Sequence, residues 1–425
     1  MGSYEETLGW MYKQLPMFQR QGPVALKLDL SRMYALLELL GNPHEDIKYI
    51  HIAGTNGKGT NAHIIASVLQ ASGLQIGMYT SPHYKDFRER IKINGGFIEK
   101  SFVVDFIETN KELFKAHQPS FFELTFLMAI SYFKAKAPDL VILETGMGGR
   151  LDSTNVVDPL ICLITNIGYD HQKFLGDSLP EIAFEKGGII KPEVPVVIGE
   201  YQEEVAYVFK QISKELNAPL AYAEDSVTLQ NSSGKLFLIE DGEQFEIPSD
   251  IQGPFRERNL RSSIALLKRL SIQEPALFTF DLECIQKGLK QVVSSTYYIG
   301  RWSIQSSNPL IIFDSAHNKE GLTDTFEKVV DMNQGQLHIV FATVADKDLK
   351  PVLSIFPKEA KYYLTKADIP RAMNESILAE EFAKEGLNGR AFSNSAMALV
   401  AAKEQAKIED TILVVGSIFL IAELI

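Results

Sequence analysis

From residue 48 onward, short runs of β-branched and aliphatic residues alternate with longer stretches whose apolar positions recur at helical spacing, the pattern of a parallel sheet covered by helices. Strands are expected at residues 49–53, 75–79, 140–143, 161–165 and 194–198, each an apolar run bounded by polar or Gly-containing positions. Helices are expected between them at 60–71, 102–116, 122–135 and 203–216. Residues 222–247 alternate instead with period two: Val227 and Leu229 precede Asn231–Gly234, and Leu236, Leu238, Phe245 and Ile247 follow it. This segment reads as an antiparallel hairpin at the edge of the first domain, ahead of a helix at 259–270. Residues 294–302 carry no clear period. A second alternation then begins, with strands at 310–313, 337–342, 361–364 and 412–415 and helices at 319–332 and 376–384. The boundary between two α/β domains is therefore expected near Thr296.

Composition narrows the class. The chain has 425 residues, 45% hydrophobic and 23% charged, which is globular composition and excludes a disordered or collagen-like chain. A formal charge of -12 repels a polyanionic duplex, so nucleic acid is not an expected partner. Cys162 and Cys284 match no metal-ligand spacing and read as reduced, buried small hydrophobes. Residues 1–21 lack the apolar core of a signal peptide, and the apolar run 412–425 is shorter than a membrane span and is interrupted by Gly416 and Glu423. The expectation is a cytoplasmic, monomeric protein without a membrane partner, acting on small molecules.

Candidate chemistry concentrates first in Gly54-Thr55-Asn56-Gly57-Lys58-Gly59-Thr60, which follows an expected strand and opens an expected helix. Glycines there let backbone N–H groups close around phosphate oxygens, the helix start adds positive potential, and Lys58 supplies a mobile charge toward the outer phosphates. An ATP site follows. The loop departs from the common form because Gly59 comes after Lys58 and the hydroxyl arrives one place later, at Thr60, so a magnesium-binding hydroxyl is sought elsewhere. The fold expected is thus a P-loop parallel-sheet ATPase domain over residues 1–296, followed by a smaller Rossmann-like α/β domain over residues 297–425.

Further motifs occur in order along the chain: Ser81-Pro82-His83, Phe87-Arg88-Glu89-Arg90-Ile91, Glu144-Thr145-Gly146-Met147-Gly148-Gly149-Arg150-Leu151-Asp152-Ser153-Thr154-Asn155-Val156, Asp170-His171-Gln172, Glu185-Lys186-Gly187-Gly188-Ile189 and Asp314-Ser315-Ala316-His317-Asn318. Together with the loop they resemble the folylpolyglutamate synthase and dihydrofolate synthase family of the Mur ligase superfamily. The resemblance implies ATP-dependent joining of glutamate to a folate carboxylate through an acyl phosphate. By the same resemblance Ser81 and Glu144 hold a first magnesium, and His171 a second together with Lys186, whose amine would be carbamylated. Read alone, Glu144 is a helix cap or a solvent-facing acid, His171 a satisfied structural histidine and Lys186 a solvated helix lysine.

The resemblance further places Asn259, Arg301 at the domain junction, Asp314 and His317 on the nucleotide, His317 together with Ser417 on the incoming glutamate, and Lys347 in support of the interdomain site. It puts folate near Phe122, with Phe87 beside it and Arg90 or Arg88 on a carboxylate; aromatic rings ahead of a helix otherwise read as core. Catalysis would rest on Lys58, Glu144, His171, Lys186 and His317. The chain departs from the family at Thr60, where serine is usual, at Ser315 and Gly187, where glycine and alanine are usual, and at Arg256, where glutamine is common. The resemblance leaves open whether dihydropteroate, a reduced folate or both are extended. A peptidoglycan-building Mur ligase would need an extra domain ahead of the loop, which begins at Gly54. A non-catalytic nucleotide-binding regulator would have no use for Glu144, His171, Lys186 and Asp314 together.

Overall fold

The computed structural model describes residues 2–15, 29–347 and 349–425. These divide into two units. The first holds the described residues up to Ile251 together with Arg256–Tyr298, and the second holds Gln252–Phe255 together with Ile299–Ile425. The division thus falls two residues beyond the expected one, and a short excursion after Ile251 belongs to the second unit.

The first unit is built on eight strands, β1 (Tyr49–Ala53), β2 (Ile76–Tyr79), β3 (Ile91–Ile93), β4 (Gly96–Phe97), β5 (Leu140–Glu144), β6 (Ile161–Ile164), β7 (Val196–Ile198) and β8 (Leu220–Tyr222), in the order β4-β3-β2-β5-β1-β6-β7-β8. All pair in parallel except β3 and β4, which extend one edge antiparallel. The central strands β1, β5 and β6 are buried along their whole length, which is why they read as unbroken apolar runs: both faces of a parallel sheet are covered. Alternation along β1 sends Ile50 and Ile52 into one core with Ile64, Ile65 and Leu260, and Tyr49 into another with Phe126 and Phe133. In register, Ile52 lies opposite Glu144 and Ala53 opposite Ile164. The loop after β1, the acid ending β5 and the segment after β6 are therefore brought to one edge of the sheet.

Two readings are corrected here. Residues 220–222 form the last strand of this sheet, whereas β9 (Thr228–Ser232), β10 (Lys235–Glu240) and β11 (Glu243–Glu246) make a separate three-stranded antiparallel sheet instead of one hairpin. The third strand was signalled by Asp241-Gly242, which like Ser233-Gly234 takes positive φ at both positions, the geometry of a two-residue hairpin turn. Residues 292–296, spanning the start of the aperiodic stretch, form a helix too short to show a period.

The second unit has six strands, β12 (Ser303–Ser307), β13 (Leu310–Phe313), β14 (Leu337–Phe341), β15 (Lys361–Leu364), β16 (Gly389–Ala391) and β17 (Thr411–Val415), ordered β12-β13-β17-β14-β15-β16 and parallel except at β12. The apolar run 412–425 resolves into β17 and the helix Ile418–Leu424, broken at Gly416, where φ is +108° and a Cβ would overlap the Phe341 ring. Among the described residues no helix is long and apolar enough to cross a membrane. Cys162 is buried as expected, but Cys284 is only partly so, and both are free thiols.

Candidate active site

The loop from Gly54 to Thr60 joins β1 to the helix Lys58–Ala71 and is pinned from both sides. Thr55 N–H donates to the Asn166 carbonyl at 2.9 Å, Asn56 N–H to Asn166 Oδ1 at 2.9 Å, and Thr165 Oγ1 to the Asn56 carbonyl at 2.6 Å. Gly54 (φ +144°) packs so closely on Thr165 that any side chain would overlap it. Gly57 caps the helix at φ +85° and offers no side-chain acceptor, so the N–H groups of the first turn are left to face a ligand. Lys58 differs from the sequence reading: its ammonium folds back onto the Gly54 and Thr55 carbonyls at 2.9 and 3.2 Å. The Thr60 hydroxyl is also turned inward, 3.1 Å from the Tyr298 hydroxyl. Of Thr60, then, the backbone rather than the side chain is available to phosphate. Asn259, from the helix Arg256–Gln273, lies against Gly57; its Oδ1 accepts from Asn61 at 2.9 Å, while its buried Nδ2 has no hydrogen-bond partner among the described residues. A donor buried and unmatched beside a phosphate loop is what a nucleotide contact requires.

Beside the loop, Glu144 is 3% exposed and its Oε2 accepts the Ser81 N–H at 3.0 Å, so the two expected magnesium ligands are adjacent. A carboxylate and a hydroxyl supply the hard oxygens magnesium prefers and leave places for phosphate and water. Among the described residues no group of three or more His, Cys, Asp or Glu side chains converges. Sequence reasoning passed over Asp152. Its Oδ2 accepts the Gly146 and Met147 N–H groups, both at 2.9 Å, its Oδ1 accepts from Thr154, and burial raises its pKa. This fully interior acid shapes the turn that follows Glu144.

Lys186 ends the helix Leu179–Gly187 and is 3% exposed, with Nζ donating to the Gly54 carbonyl at 2.8 Å. Burial and the nearby Lys58 charge lower its pKa to about 7, against opposing pulls from Asp170 and Asp152. The amine therefore titrates near neutral pH, where a substantial fraction is neutral and nucleophilic. The following glycines suit their places. A side chain at Gly188 would overlap the Arg150 backbone. His171 takes φ +53°, one-third exposed, with Nε2 3.8 Å from its neighbour Asp170, whose charge reaches Lys186.

On the expected folate side, Phe122 is partly exposed near the start of the helix Phe121–Lys136, its ring against Gly146, where a Cβ would come within 2.7 Å. The arginines are placed differently from a pair of open carboxylate receptors. Arg88 is ion-paired with Asp86 at 2.6 Å. Arg90 is 2% exposed, donates to His83 Nδ1 at 2.7 Å and stacks over Phe121, and Phe87 is likewise core. Arg32, which carried no sequence signal, makes a 2.6 Å ion pair with the buried Glu123 that closes the capping box of Phe122's helix.

In the second unit, Asp314 follows β13, 2% exposed; its oxygens accept the Trp302 and Ala316 N–H groups at 2.9 and 2.7 Å. Burial pushes its pKa up to about 6, with Arg301 pulling the other way. Ser315 is not at positive φ, so the side chain replacing the usual glycine is accommodated. His317 Nδ1 lies 2.9 Å from the Ser315 carbonyl, and Lys347 donates to the His317 carbonyl. Ser417 caps the final helix by accepting from Phe419 at 3.2 Å. Because β17 lies between β13 and β14, Asp314, His317, Lys347 and Ser417 all follow carboxyl ends of neighbouring strands, where open parallel sheets bind ligands.

The Mur ligase middle domain matches residues 52–267, and the Mur ligase glutamate ligase domain residues 300–418. The dihydrofolate synthase/folylpolyglutamate synthase of Bacillus subtilis is 29% identical over 442 residues, covering 99% of this chain and 98% of that protein. The Escherichia coli protein of the same name is 31% identical, covering 87% and 84%. A probable bifunctional folylpolyglutamate synthase/dihydropteroate synthase of Haloferax volcanii is 31% identical over 91% of this chain but only 47% of its own length, so the chain spans about half of that relative. Among solved structures, Escherichia coli FolC in complex with DHPP and ADP superposes with a TM-score of 0.86 at 27% identity, over 100% of this chain and 97% of that one. A Yersinia pestis bifunctional folylpolyglutamate synthase/dihydrofolate synthase complexed with AMPPNP and Mn gives 0.83 at 27%, over 100% and 97%. With phosphate loop, β5 acid and second-unit crevice all in place, this chain belongs to the folylpolyglutamate synthase/dihydrofolate synthase family of Mur ligases.

Proposed function

We propose that the protein is an ADP-forming ligase that joins L-glutamate to the carboxylate of a folate, accepting both dihydropteroate and tetrahydrofolate, as a cytoplasmic monomer. The observation that carries this reading is the convergence at one sheet edge of the phosphate loop, the Ser81–Glu144 pair and the buried amine of Lys186. In the reaction, a folate carboxylate oxygen attacks the γ-phosphorus of ATP and ADP departs. The glutamate amine then attacks the acyl phosphate carbon, losing a proton as inorganic phosphate leaves. Residues Gly54 to Thr60, with Asn259, hold the phosphates through backbone and amide donors, and Phe122 packs on the pterin. In the second unit Arg301 and Asp314 serve the nucleotide, and His317, Lys347 and Ser417 serve glutamate. Magnesium, when bound by Ser81, Glu144, His171 and modified Lys186, would neutralise phosphate charge.

Lys186 carries carbon dioxide in this reading: the neutral amine adds to CO2, forming an N–C bond and releasing one proton, and the lysine becomes an anionic oxygen donor. Its environment supports this, since burial lowers the pKa to about 7 and so supplies the neutral amine such an addition needs. The test is ADP release with ATP, magnesium and glutamate, run in parallel with dihydropteroate and tetrahydrofolate. Turnover with both is expected. Turnover with one would make the enzyme monofunctional, and silence with both would overturn the substrate assignment.

A further inference from the structure

The helix that begins at the phosphate loop is buried almost throughout, yet four of its interior positions are polar; Asn61 faces Asn259, and the other three are Thr60, His63 and Ser67. Their spacing of three and four puts them on one helical face. Each meets a residue of a single short segment in antiparallel order. Ser67 Oγ lies 2.8 Å from Ser295 Oγ, His63 Nδ1 2.6 Å from Thr296 Oγ1, and Thr60 Oγ1 3.1 Å from the Tyr298 hydroxyl. The direction of the middle bond follows from its neighbours. Thr296 Oγ1 donates to the Val292 carbonyl at 2.6 Å, so it accepts from His63 Nδ1–H, which leaves Nε2 to accept from Lys92 Nζ at 3.5 Å. Lys92, 2% exposed, also donates to the Thr296 carbonyl at 3.0 Å.

The residue between Thr296 and Tyr298 is strained. Tyr297 takes φ +56°, in the left-handed region, and persists there with Thr296 and Tyr298 held on either side and its ring edge-on to Phe97 at 4.8 Å. Tyr298 is the last residue of the first unit. The stripe therefore ties the first turn of the phosphate-loop helix to the end of that unit.

We propose that Thr60, His63 and Ser67 form a positioning stripe through which nucleotide on the loop orders residues 295–298, making His63 and Tyr298 positioning residues for ATP. The inference rests on the phosphate loop holding ATP. When ADP fixes the first helical turn, the Thr60 hydroxyl is fixed with it, and its partner Tyr298 loses freedom in turn.

The experiment is amide hydrogen exchange of the full chain, with and without ADP, on wild type and Tyr298→Phe. In wild type, ADP is expected to slow exchange at 292–298 as well as at 54–60. In Tyr298→Phe, protection at 54–60 persists, protection at 292–298 is lost, and the Kd for ADP rises about tenfold, the scale of one buried hydrogen bond left unmatched. Ser67→Ala, a gentler change should the first variant fold poorly, is expected to move both readouts the same way by a smaller factor. Exchange at 292–298 indifferent to ADP in wild type, or equally responsive in all three proteins, would overturn the proposal. Because ADP alone is needed, failure of glutamate ligation counts against the folate reading only.

Discussion

Replacing Lys186 by Met separates stability from function. In CO2-free buffer the buried amine is unmodified, with a pKa near 7 in place of the ordinary lysine value of 10.5. Between those values the unfolded chain binds a proton that the folded chain does not, so stability rises with pH across that window; below pH 7 both states are protonated and the penalty is complete. The difference corresponds to about 5 kcal/mol of destabilisation at pH 6, falling to about 2 kcal/mol at pH 9. Methionine fills similar volume without a charge to desolvate, so the variant should be more stable than wild type, with a gap that shrinks as pH rises. Native-state hydrogen exchange at β1 and β5 reads this in the first unit alone. The same variant should release no ADP with folate and glutamate. For wild type, labelled bicarbonate should produce a protein-bound carbamate resonance that Lys186→Met lacks. A variant no more stable than wild type at pH 6, or a gap independent of pH, would refute the buried-amine argument.

Other consequences follow from the same structure. Gly57→Ala forces a Cβ at φ +85° onto Asn259 Oδ1 and should weaken ADP binding by about tenfold or more in calorimetric titration. Arg32→Met strands the buried Glu123 carboxylate and should lower stability to urea by about 3 kcal/mol, with Glu123→Gln restoring part of it. Asp314, raised to about 6 by burial, favours its protonated form when folded, so wild-type stability should fall as pH rises from 4 to 6 and then level; exchange at β13 and β17 in Asp314→Asn should lack that slope.

The elements legible in the sequence are strands in largely buried parallel sheets and helices long enough to show an apolar stripe. Strands read at 49–53, 310–313 and 361–364 and the helix at 319–332 have those bounds in the structure, because apolar runs and helical periodicity record burial directly. Among the segments missed are the third strand of the small antiparallel sheet, the helix Val292–Thr296 and the helix Ile418–Leu424 that follows β17, which are short or one-sided. Their stability comes from what they pack against, which a local window does not contain.

Composition, order and local pattern alone determined the α/β class, the phosphate loop between a strand and a helix, and the family to which the ordered motifs point. Only the tertiary structure decided what each polar group does. Strand register brought Glu144 beside the loop, burial turned Lys186 from a surface cation into an interior amine that titrates near neutral pH, and the same burial turned Arg90 away from solvent and Thr60 toward Tyr298. Position along the chain carries residue identity and periodicity. Charge state and hydrogen-bond partner depend on dielectric and distance, and those exist only once residues far apart in sequence are packed together.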